Sequence, residues 1–196
     1  MANIDLDRTL TYVNDQVVRL SYQWMLFGQL FNTGADNIKI LNDSGSIVFA
    51  LLQRLMIDDL MISLSKLTDP ARSRQFENAS IYNMMAKAKA LLSPTTSSQV
   101  DALICELKQH VHNIREHRNK SLAHADLDHA LKLSALPPVT YDELEKAMTT
   151  VKEIITKVAS EACRWTPQYN IIIPFGADAE SLLKVLKRGH CIAVES

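Results

Sequence analysis

Apolar residues recur along this chain at the spacing of helices. Leu10, Val13, Val17, Leu20, Trp24, Phe27 and Phe31 step alternately by three and four, drawing one apolar stripe along a long first helix. Asn32-Thr33-Gly34 predicts its end. The polar run holding Asn42, Asp43, Ser44 and Gly45 predicts a loop able to cap the next helix. That second helix is predicted from Ser46 to Thr68, apolar on most sides and so expected to be the most buried, with Asp69-Pro70 as its stop. A third, about Ser80 to Leu92, turns Ile81, Met84, Met85, Ala88 and Leu92 inward, and Ser93-Pro94 punctuates it.

The fourth helix is predicted to begin between Thr96 and Ser98 and carries Val100, Leu103, Ile104, Leu107, Val111 and Ile114. After the break at Leu136-Pro137-Pro138, Thr140 and Glu143 form a capping-box pattern for a fifth helix with Leu144, Met148, Val151, Ile155, Val158 and Ala162 inward, ended by Pro167. Asn170 to Phe175 is a β-branched run that suits one extended segment, and a last helix is predicted from about Asp178 to Lys187, closing at Gly189. There is no internal repeat. The pattern predicts an all-α fold, an antiparallel bundle of four to five long helices plus a short C-terminal helix, in a single domain over residues 1–196.

Composition narrows this reading without changing it. Only five Gly and six Pro leave little room for a many-stranded sheet. A net charge of −1 predicts no global attraction to nucleic acid or anionic membrane, so any RNA contact must come from a local basic patch. Cys105, Cys163 and Cys191 lack metal-binding or redox spacing and read as reduced and structural. The acidic N-terminus does not read as a signal peptide, and Gln53, Arg54, Asp58 and Asp59 interrupt the most apolar stretch, so no membrane span is expected. A cytoplasmic protein is the expectation.

The chemistry concentrates after the fourth helix. Leu107, Val111, Ile114 and Arg118 step by four, three and four, so Arg118 continues a buried stripe. A guanidinium there must either pair with a core carboxylate, such as Asp58 or Asp59, or face a polar cleft. His124 lies six positions on, and an unbroken helix would rotate it by roughly 240° away from Arg118. The two can meet if the helix breaks near Asn119 to Ser121 or if two subunits share one cleft. Such a pair suits cleavage of RNA by its own 2′-hydroxyl: an imidazole titrating near neutral pH moves the proton, and a guanidinium stabilises charge on the phosphoryl oxygens. Asn119 can hold the phosphate or orient the histidine.

The segment Arg118-Asn119-Lys120-Ser121-Leu122-Ala123-His124 resembles the signature of the HEPN superfamily: an arginine, a polar residue and, a few positions on, a histidine. The longer RNKSLAHAD, Arg118 to Asp126, and RLMIDDLMISLSKLTDP, Arg54 to Pro70, are similar to its abortive-infection U-like branch. The resemblance implies a dimerising helical bundle that brings both arginine–histidine pairs into one cleft. It also implies metal-independent RNA cleavage in toxin–antitoxin or phage-defence settings, with a protein antitoxin or regulator as a further partner. Only Arg118, Asn119 and His124 carry over by motif, as catalytic residues. The alternative is a helical interaction or regulatory module that has lost catalysis.

Lys108, Arg115, Arg118 and Lys120 against the single Glu116 give residues 108–120 a charge of +3, with histidines neutral. Lys108, Arg115 and Lys120 are therefore candidate substrate-binding residues, against the alternative of a solvated helix end whose cations suit the macrodipole. His110, His117 and His124 are seven apart, and the nearby His124, Asp126, Asp128 and His129 lack a paired helical spacing with a clear third ligand. No metal or other cofactor is expected. Asp58, Asp59 and Asp69 suit capping and salt bridging to Arg54, Lys66 or Arg118 better than a carboxylate site.

Overall fold

A computed structural model describes residues 4–122, 136–174 and 176–195. The fold is all-α: α1 (Ile4–Phe31), α2 (Ala35–Leu67), α3 (Ile81–Ala88), α4 (Pro94–His110), α5 (His112–His117), α6 (Tyr141–Val158) and α7 (Ala179–Glu195). Among the described residues the only sheet is a hairpin of two residues per strand, β1 (Arg72–Ser73) with β2 (Phe76–Glu77). The chain divides into two compact units, one of residues 1–19 with 61–169, the other of residues 20–60 with 170–196.

In the first unit the predicted stripes form the core. Leu10, Val13 and Val17 of α1, Ile81 and Met84 of α3, Leu107 and Ile114, and Val151, Ile154 and Ile155 of α6 are all fully buried. Helix α6 starts with the predicted capping box: the Thr140 amide donates to Glu143 Oε2 (2.8 Å), and the Glu143 amide donates to Thr140 Oγ1 (3.2 Å). Ser80 and Ser93 accept from Asn83 and Thr96 to cap α3 and α4. Helix α4 begins at Pro94, slightly earlier than expected, because proline suits the first helical turn.

Three expectations need correction. Residues 35–44 are helical rather than a loop, because Ile38 and Leu41 pack with Leu30, Ala179 and Leu183 in the second unit. The break expected before Ser46 survives only as a kink at Gly45, whose backbone leaves helical geometry. Nor is α2 deeply buried throughout: Ile47, Val48, Leu51 and Leu55 are exposed, since an all-round apolar helix has more apolar faces than its neighbours cover. Helix α7 runs through Gly189 to Glu195, so that glycine does not act as a terminator.

Candidate active site

The site grows from the C-terminus of α2. Thr68 turns its hydroxyl back onto the carbonyls of Leu64 and Ser65, at 3.0 and 3.1 Å, closing the last turn. Carbonyls at a helix end lack intrahelical donors, and Arg115 of α5 adds donors to this one. Its Nη1 donates to the carbonyls of Ser65 (3.0 Å) and Thr68 (2.9 Å) and to Thr68 Oγ1 (3.1 Å), while Nη2 donates to Asp69 Oδ1 (3.1 Å). The cation also meets the negative end of the helix dipole there.

Arg118 follows three residues later. Its Nη2 lies 3.8 Å from Asp69 Oδ2, so one carboxylate faces both arginines, and its Nη1 donates to Asn119 Oδ1 at 2.9 Å. The partner is thus Asp69, just beyond the end of α2. Asp58 instead forms an ion pair with Arg54 at 3.7 Å. A guanidinium has five N–H donors, and among the described residues the half-buried Arg118 meets Asn119 and Asp69.

The buried stripe leads to Arg118 through two irregularities. Helix α4 ends at Val111 (φ −92°, ψ 1°), and α5 gives way to a π-helical turn over Arg118–Leu122. The backbone therefore departs from α geometry across the predicted region of Asn119 to Ser121. His124 lies outside the described residues. The segments on either side of it are tied down: His117 Nε2 lies 2.6 Å from the Pro137 carbonyl oxygen, and Asn113 Nδ2 donates to Glu143 Oε1 at 2.7 Å.

Beside Arg118 opens a cleft of about 680 Å³. Tyr82, Lys108, His112, Arg115, Glu116 and Asn119 line it, together with the chain after α2. Lys108 Nζ sits 5.8 Å from the centre of the Tyr82 ring. Burial pushes the Tyr82 hydroxyl above its ordinary pKa, against the opposing charge of Arg115. Three predicted residues, Lys108, Arg115 and Asn119, thus share this cleft. Lys120 is exposed and lies 3.9 Å from Glu116. Sequence reasoning missed Tyr82, because nothing at the start of α3 distinguishes it from a core aromatic residue. Among the described residues, no group of three or more His, Cys, Asp or Glu side chains is arranged to hold a metal ion.

The backbone hydrogen bond from Thr140 holds Glu143 below the ordinary glutamate range, against the effect of burial. Burial disfavours the Lys87 charge, but its contacts with Asp5 and Glu77 prevail and raise its pKa. Among the described residues no helix is long and apolar enough to cross a membrane.

Residues 4–181 match the family model HEPN_AbiU2, described as AbiU2. No curated protein and no solved structure matches the chain.

Proposed function

The chain belongs to the AbiU2 family of HEPN domains, and from that membership we propose a metal-independent endoribonuclease, working as a homodimer in a toxin–antitoxin or phage-defence setting. The observation that supports this reading is the half-buried Arg118, faced by Asp69 and bonded to Asn119, which lines a cleft together with Lys108 and Arg115.

In this reading the RNA 2′-oxygen attacks the neighbouring phosphorus and the bond to the 5′-oxygen breaks. The products are a 2′,3′-cyclic phosphate and a 5′-hydroxyl. His124 acts as acid or base, taking the 2′-hydroxyl proton or delivering one to the leaving oxygen. Arg118 stabilises charge on the non-bridging oxygens, with Asn119 assisting. Lys108, Arg115 and Lys120 attract flanking phosphates, Arg115 while also capping α2. The twofold partner brings a second Arg118 and His124 into the same cleft.

The test is cleavage of single-stranded RNA by the purified chain in excess EDTA, with analysis of the product ends and sizing of the protein. Cyclic-phosphate ends from a dimer, lost in Arg118→Ala and in His124→Ala, support the reading. Activity that vanishes with chelator and returns with a divalent ion overturns the mechanism. The Arg118–Asp69 pair favours a second reading, a non-catalytic helical interaction module in which that arginine serves structure or binding. A dimer or monomer that binds partners but cleaves nothing would put that reading first.

A further inference from the structure

The cleft beside Arg118 holds more than a phosphate site requires. Its cations, Lys108 and Arg115, suit a polyanion, but it also contains an aromatic ring and a carboxylate. Glu116 would repel a bare phosphate. Tyr82 offers a half-buried ring at the cleft, with the Lys108 ammonium 5.8 Å from its centre. A ring platform beside mixed donors and acceptors is what a nucleobase recognises.

The polar groups narrow the choice of base. Guanine is the base that offers two adjacent donors, N1–H and N2–H, to the two oxygens of one carboxylate. Its opposite edge carries the acceptors O6 and N7, which suit a lysine. Glu116 and Lys108 supply that combination from α5 and α4. Lys108 has an exposed stem, so it can leave the ring face as a base arrives and turn to that acceptor edge. Asn119 joins the two places directly: it lines the cleft and accepts from Arg118.

We propose that this cleft is a nucleobase subsite that seats guanine on the Tyr82 ring, with Glu116 reading its donor edge and Arg118 beside the adjoining phosphate. The inference rests on the ribonuclease reading only for the identity of that phosphate. The site would make the protein selective for RNA with a guanosine next to the scissile bond.

The test is calorimetric titration of the full chain with 5′-GMP, AMP, CMP and UMP. GMP should bind about tenfold more tightly than the others, the effect expected of one bidentate base contact. Glu116→Gln should bring GMP to the level of AMP and leave AMP unchanged. Tyr82→Leu should weaken every nucleotide about tenfold, while Tyr82→Phe, which keeps the ring, should bind as the parent does. Four indistinguishable nucleotides, or GMP binding unmoved by Glu116→Gln, would overturn the proposal. If Tyr82→Leu does not fold, the exchange at position 116, which removes no packing volume, still decides it. RNA cleavage without guanine preference sinks the subsite alone, and GMP binding by a protein that cleaves no RNA sinks the ribonuclease reading alone.

Discussion

Two hollows of similar size have opposite characters. In the second unit, a groove of about 820 Å³ is walled largely by Leu26, Leu30, Leu52, Met56, Leu182 and Val185. In the first unit, the smaller cleft gathers Lys108, His112, Arg115 and Glu116 around Tyr82. Apolar walls gain free energy by being covered, and they cannot orient a charge. A wall of fixed donors can, provided something holds the donors still. Arg115 does so here, because four hydrogen bonds to the end of α2 fix its guanidinium before any ligand arrives. Preorganised polarity, more than volume, separates the two hollows.

The sharpest way to break this contrast is at Arg118. Arg118→Ala should lower RNA cleavage by about a hundredfold or more. Its ion pair with Asp69 is long, at 3.8 Å, and Asp69 keeps Arg115, so the urea midpoint should barely move. Equal losses of activity and of folded protein would make Arg118 a structural residue.

Arg115 should behave in the opposite way. Arg115→Ala removes the donor to the Thr68 carbonyl and to Asp69, while the Ser65 carbonyl keeps the Thr68 hydroxyl, which should cost about 2 kcal/mol in chemical unfolding. Arg115→Lys should recover only part of that, since an ammonium cannot span the Ser65, Thr68 and Asp69 acceptors as a planar fork does. Full recovery with lysine would show that charge at the helix end suffices.

The capping box gives a smaller effect with a defined pH dependence. Thr140→Ala should cost about 1 kcal/mol, read from thermal melts. The Glu143 carboxyl is held below its ordinary pKa of 4.5 in the folded chain, chiefly by the Thr140 amide. Its contribution is therefore full above that pH and is lost as pH falls through the lower folded value. The stability gap between the parent and Glu143→Gln should narrow on acidification, and a constant gap would remove the carboxylate from the account.

The smallest change is expected on the apolar side of the comparison. Leu51 is more than half exposed, so Leu51→Lys should alter the unfolding free energy by less than about 0.5 kcal/mol. A larger loss would mean that this face is covered in solution.

What the sequence reveals depends on how local the cause is. The Thr140–Glu143 box is legible because both partners lie within one turn. The sequence from Leu107 to Arg118 is legible because helical phase survives the irregularity at Val111 and brings the arginine to the end of a buried stripe. Residues 35–44 are misread because their polar composition suits a loop, while the contacts of Ile38 and Leu41 that make them helical lie far along the chain. Gly189 is misread for a related reason: glycine permits a helix end but does not enforce one. Asp69 can be weighed as a partner for Arg118 from sequence, but its sharing with Arg115 cannot, because that depends on how α5 meets the end of α2. Tyr82 is invisible in advance, since its place in the cleft is set by α4 and α5.

The π-helical turn at Arg118–Leu122 has a consequence for genetics. A π turn behaves as an α-helix with one surplus residue. In a length-variant library, deleting one residue within this turn would be absorbed as a return to ordinary α winding and would not unravel the helix. The exit direction would be nearly kept, because five residues of π winding turn the chain through about as much as four of α winding, about 400°. The same deletion inside α6, which has no surplus residue, would rotate its far end by about 100°. Single-codon deletions should therefore be better tolerated in this turn than in the regular helices, at the cost of the contacts of the residue removed.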